Sequence, residues 1–143
     1  MKLSLNATTG TLHLAASSSI SSATSAAELA TLFAPAPVEH SAAHGGYTHY
    51  FIRAVPLDEG QGSFRLIYFH QRLDSISFAF YPDGQAHLSW NDWSEQQEQR
   101  LAAEYDAWLT KQVGSRRQFA WGTVWAEYDP RSGGSSIGMR YAL

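Results

Sequence analysis

The most chemically suggestive residues of this chain are Gly134-Ser135-Ser136-Ile137-Gly138. A G-x-S-x-G arrangement holds the nucleophile of serine hydrolases on a sharp turn between a strand and a helix, with an acid and a histidine later in the chain. Residues 139–143, which follow, include neither. The expected role is therefore the glycine- and serine-rich opening of a strand. The six histidines raise a second chemistry, metal binding. His49, His70 and His87 fall on expected strands, and His40 and His44 are four apart with Glu39 alongside. Zinc needs three or four converging ligands. No histidine pair falls at i, i+4 on an expected helix, no carboxylate adjoins the three strand histidines in sequence, and residues 40–44 lie in a proline- and glycine-rich stretch. Solvent-facing or partly buried imidazoles are expected, with no metal and no cofactor.

Paired carboxylates are the third possibility. Asp92, Glu95, Glu127 and Asp129 are the candidates for acid/base work of the kind that cleaves glycosides, which depends on two carboxyls at a set separation. Glu95 already has a place in the first turn of a helix, and Asp129 opens a turn. Trp90-Asn91-Asp92-Trp93-Ser94 brackets a polar pair with two indoles at a strand-to-helix corner. A core corner whose Asp92 or Ser94 caps the helix is one reading. A partner-facing aromatic patch is the other, since Trp anchors interfaces.

Several elements must position these groups. Leu3 and Leu5, then Leu12 and Leu14, alternate with polar residues around Asn6-Ala7-Thr8-Thr9-Gly10, which predicts a hairpin. Residues 16–25 are mostly Ser and Ala and predict a flexible connection. Ser25 and Glu28 have capping-box spacing, with Leu29, Leu32 and Phe33 forming the apolar face of a short helix that Pro35 and Pro37 end. Residues 34–46 predict a long loop. Strands are expected over 47–55, 64–71, 75–81 and 86–90, with turns at residues 57–62 and at Pro82-Asp83-Gly84. Ile76, Phe78 and Phe80 alternate with Ser77 and Ala79, the mark of a sheet covered on one face. Ser94 and Gln97 start the long helix, Leu101, Tyr105, Trp108 and Leu109 share its apolar face, and Gly114 stops it. Two ring-bearing runs around Asp129-Pro130-Arg131-Ser132-Gly133-Gly134 close the pattern as a hairpin. The order ββ-α-ββββ-α-ββ predicts one α+β domain over residues 1–143: an antiparallel sheet with one long and one short helix packed on one side.

Composition narrows the function. A chain of 143 residues suits one domain with a real core. The net charge is −3 with scattered basic residues, Arg116-Arg117 being the only adjacent pair, so the concentrated basic face of a nucleic-acid binder is missing. Without cysteine there is no thiol catalysis, disulfide or Cys-ligated zinc. The alternating start Met1 to Asn6 lacks the apolar core of a signal sequence, and no run is long enough to span a bilayer, so a cytoplasmic location and no membrane partner are expected.

Three segments together resemble a known group. They are Trp90-Asn91-Asp92-Trp93-Ser94, then Asp106-Ala107-Trp108-Leu109 with Gly114, then Trp121-Gly122-Thr123-Val124 leading through Tyr128-Asp129-Pro130-Arg131-Ser132-Gly133 to Ile137–Tyr141. With the opening hairpin, this pattern is similar to small bacterial immunity proteins of polymorphic or contact-dependent toxin systems, including those of type VI secretion. It covers about half the chain, mainly the C-terminal part, through motifs of moderate specificity. The resemblance implies a non-enzymatic protein, monomer or weak homodimer, that neutralises a cognate toxin (effector) by blocking its active site or locking its conformation. It implies contacts from acidic or aromatic residues on loops and the helix start: Asp58, Glu59, Asp83, Asp92, Trp93 and Glu95. The alternative is a small ligand-binding domain, or an enzyme using carboxylates such as Glu127 and Asp129.

Overall fold

The computed structural model describes residues 2–15, 17–58, 60–81 and 94–143. Strands β1 (Ser4–Leu5), β2 (Leu12–Ala15) and β3 (Ser18–Ile20) form a small sheet in that order. A 3-10 turn (Ala26–Glu28) runs into α1 (Leu29–Phe33). Then come β4 (Val38–His40), β5 (Tyr47–Leu57), β6 (Gly60–Phe69), β7 (Arg72–Tyr81), α2 (Glu95–Val113), β8 (Gln118–Phe119), β9 (Gly122–Asp129) and β10 (Gly134–Tyr141). The large sheet has the order β4-β5-β6-β7-β10-β9-β8, antiparallel throughout. The protein is thus an α+β fold, as the residue patterns predict.

Two expected loops are strands. Residues 16–25 contain β3, which pairs with β2, and residues 34–46 contain β4, which pairs with β5. Each is three residues long and lies at a sheet edge. An edge strand has one pairing partner and needs little of the alternation that marks a central strand. The expected strand over 86–90 lies outside the described residues. His70 is not in a strand either: it sits with φ +56 in the turn between β6 and β7.

The core fills one face of the large sheet. Ile52, Val55, Phe64, Leu66, Tyr68, Ile76, Phe78, Val124, Ile137 and Met139 are buried there with Leu12, Leu14 and Ile20 of the small sheet and Leu29, Phe33, Tyr105 and Leu109 of the helices. Each such side chain stabilises the fold by about 1.5–3 kcal/mol relative to exposure. Glu28 accepts the Ser25 N–H at 2.9 Å, and Ser94 Oγ accepts the Gln97 N–H at 3.3 Å, so both helices start where the capping residues predict. At the other end of α2, Arg117 donates to the Gly114 carbonyl at 2.7 Å and to Asp106 Oδ1 at 3.0 Å. Trp108 packs edge-on against Phe78, with ring centroids 6.0 Å apart.

The small sheet is fastened to the far hairpin by rings. Trp121 Nε1 donates to the Ala7 carbonyl at 2.8 Å, and the Tyr141 hydroxyl to the Gly10 carbonyl at 2.8 Å. Gly10 has φ +71, and a Cβ there would lie 2.4 Å from the Trp121 ring. A side chain at that turn would strain the backbone and push the indole away. Trp121 and Gly10 are therefore packing partners.

Candidate functional site

Side chains alternate across a strand, so the residues between the core positions form a second face. Among the described residues, α1, α2 and the small sheet all pack on the core face, and none covers the second one. Register aligns that face in one row across six strands. Glu39 pairs with Phe51, Phe51 with Arg65, Arg65 with Ser77, Ser77 with Gly138, and Gly138 with Trp125. The row carries a carboxylate, a ring and a guanidinium, then two small residues, then an indole. Beside it, Ser63 pairs with Ala79 and Ser136 with Glu127. In this stretch the central strands β7 and β10 present the small residues Ser77, Ala79, Ser136 and Gly138, and the strands on either side present large ones. A shallow trough runs between them.

Within it is a concavity of about 210 Å³ lined by Phe51, Arg53, Ser63, Arg65, Ser77 and Ser136. The Arg65 guanidinium lies over the Phe51 ring, 5.6 Å from its centroid. Its Nη2 is 2.7 Å and its Nε 3.2 Å from His49 Nδ1. A guanidinium has no acceptor, so Nδ1 receives these bonds and carries no proton. Burial, and then the adjacent Arg65 charge, hold the His49 pKa below its ordinary 6.5. Arg53 sits in a β-bulge: Ile52 pairs with Phe64 and Val55 with Gly62, so Arg53 and Ala54 together oppose Ser63. Ala54 takes φ +55, a conformation that costs a residue with a Cβ about 1–2 kcal/mol. Bulges re-aim side chains and recur beside functional sites. At one end of this face Tyr47 and Phe69 pair at 4.8 Å between centroids, 43% and 36% exposed.

The G-x-S-x-G residues all lie within β10, so the strand expected there is present. Ser135 Oγ is tied to the Glu98 carbonyl, and its N–H donates to Glu98 Oε2 at 3.1 Å. Among the described residues no three of His, Asp and Glu gather as metal ligands. Glu127 and Asp129 lie two apart on β9, and Asp129 Oδ1 accepts the Arg131 N–H at 2.9 Å as part of the turn.

Of the residues expected to contact a partner, Glu59, Asp83, Asp92 and Trp93 lie outside the described residues. Asp58 is in the turn after β5, and Glu95 is the first residue of α2, where it accepts from Gln99 Nε2 at 3.4 Å. The topology puts both at one end of the large sheet. The β5–β6 turn, the last residues of β7 and the first of β10 share that end, and Ser135 fastens the start of α2 to it. The end is acidic: Tyr128 has its pKa raised by lost hydration and then by Glu95, Glu98 and Asp129 nearby. The alternation of Ser77 and Ala79 with Ile76 and Phe78 predicts a sheet covered on one face, but not which large residues stand on the open one: Arg53, Arg65 and Trp125 come from three strands whose neighbours only the fold sets.

Among the described residues, no helix is long and apolar enough to cross a membrane. No protein-family model, curated protein or solved structure matches the chain.

Proposed function

We propose that this chain is an immunity protein that binds a cognate bacterial toxin through the open face of its seven-stranded sheet and blocks the toxin's active site. The observation that carries this reading is that face itself. A sheet of this width keeps one side free of described elements and lines it with Phe51, Arg53, Arg65 and Trp125 around a floor of small residues. Aromatic and arginine side chains are the usual anchors of protein interfaces. A broad, shallow, rigid surface suits a protein partner better than the deep apolar pocket that encloses a small molecule. The resemblance of the C-terminal hairpin and α2 to immunity proteins points to the same task. The acidic end, with Asp58 and Glu95, borders the trough and steers basic parts of the toxin toward it.

Co-expression tests the proposal. The chain is induced together with a candidate toxin, the product of the gene next to its own if that product arrests growth. Growth is expected to be restored, and the two proteins to co-purify. Cell death despite abundant folded protein would sink the proposal.

A further inference from the structure

This inference rests on the immunity reading and names the chemistry that the trough recognises. The concavity collects positive charge that no carboxylate pairs directly among the described residues: Glu39 and Glu127 border this face but form no ion pair with Arg53 or Arg65. Arg53 forms no ion pair or hydrogen bond among the described residues, and Arg65 spends its Nε edge on the uncharged Nδ1 of His49. The hydroxyls of Ser63, Ser77 and Ser136 line the same space, and none is hydrogen-bonded among the described residues. Two guanidinium groups and three free hydroxyl donors thus face one hollow, in a chain whose net charge is −3. Donors that lack acceptors within the protein are satisfied by water or by an anion.

The two arginines differ in how they are positioned: Arg65 is held by its neighbours, and Arg53 is only aimed from its backbone. Arg65 is fixed between the His49 imidazole and the Phe51 ring. His49 occupies its Nε edge, which leaves the Nη1–Nη2 edge to form a paired fork with a planar two-oxygen anion. Arg53 is directed by the bulge, at the expense of a strained Ala54. Holding Arg65 before binding removes part of the ordering cost of association. The Phe51 ring and the two arginines form the wall and small side chains the floor, which fits one short acidic side chain arriving on a protein loop.

We propose that this hollow is a carboxylate-binding site that takes an aspartate or glutamate side chain from an acidic loop of the toxin, held between Arg53 and Arg65 with the serine hydroxyls beneath. The partner carries acidic groups at the centre of this contact, whatever basic groups meet the Asp58 and Glu95 end.

The test uses the full chain, isotope-labelled, and needs no toxin. The probe is the tetrapeptide acetyl-Asp-Glu-Asp-Glu-amide, with acetyl-Asn-Gln-Asn-Gln-amide and inorganic phosphate as comparisons. The acidic peptide is expected to shift the Arg53 and Arg65 Nε–Hε signals and the Ser77 and Ser136 amides saturably, with a dissociation constant on the order of 1 mM. Added salt is expected to weaken it, and the neutral peptide to produce no such shift. Arg53→Gln and Arg65→Gln, each confirmed folded by its spectrum, are expected to lose at least about tenfold in affinity. The proposal is overturned by absence of saturable shifts in the wild-type chain, by equal response to the neutral peptide, by tighter binding of phosphate, or by shifts confined to another surface. The wild-type titration decides the matter even if a variant misfolds. Failure here removes the carboxylate site and leaves growth rescue to judge the immunity reading. Failure of rescue leaves this titration to judge the site.

Discussion

Trp125 lies across Gly138, its cross-strand partner: a Cβ at position 138 would sit 2.3 Å from Trp125 Cε2. The indole thereby closes one side of the trough floor, and the absence of a side chain at Gly138 lets it lie down. Gly138→Ala is expected to lift the ring while leaving the fold intact, because Trp125 is only half-buried and can swing outward. The stability loss should be about 1 kcal/mol, the low end for overfilling a packed site. The Trp125 indole N–H signal should move. An unmoved signal would show that the ring does not rest on Gly138.

Charge reversal separates the two surfaces. Arg53→Glu with Arg65→Glu should abolish neutralisation of the toxin by destroying the contact itself, seen as a faster dissociation rate. Asp58→Lys with Glu95→Lys should chiefly slow association, and most strongly at low salt, as expected of charges that steer from a rim. Surface-binding kinetics at two salt concentrations read both. A large loss of affinity only from the second pair would move the interface to the acidic end.

The lowered His49 pKa has a definite sign in stability. The folded value lies below the unfolded 6.5, so between the two the unfolded chain binds more protons and stability rises with pH. The contribution is fully present above pH 6.5 and is lost as pH falls through the folded value. An NMR titration of the His49 ring should give a midpoint below 6.5. Urea midpoints should fall on acidification, and less so in His49→Gln, whose side-chain oxygen still accepts from Arg65. A His49 midpoint above 6.5 would contradict the Arg65 contact.

Tyr105 completes the sheet where pairing stops. Its hydroxyl donates to the Phe80 carbonyl at 2.8 Å and accepts the Phe80 N–H at 3.1 Å, beyond the last β7–β10 rung at Phe78. Tyr105→Phe leaves both backbone groups without that partner and should cost about 1–3 kcal/mol in urea unfolding. Faster exchange of the Phe80 amide should accompany it. A change below about 0.5 kcal/mol would mean that water replaces the hydroxyl without penalty.

Much of the local structure was written in the residue order. Ser94, Gly114 and the spacing of Leu101, Tyr105 and Leu109 define α2, because caps and helical faces depend on residues within four positions of each other. The alternation around Ile76 and Phe78 defines β7, and the turn at Asp129–Gly134 defines the β9–β10 hairpin, for the same local reason. Edge strands β3 and β4 were not legible, since each becomes a strand by pairing with a neighbour. The trough was least legible of all. It exists because β10 inserts beside β7, which brings Phe51, Arg65, Ser77, Gly138 and Trp125 from five strands into one row. Sequence alone determined the long strands β5, β6, β7, β9 and β10 to within a few residues, and that β7 would be apolar on one face. Tertiary structure decided which strands would be neighbours, because hydrogen-bond register between distant segments is set only when the shared core closes over them.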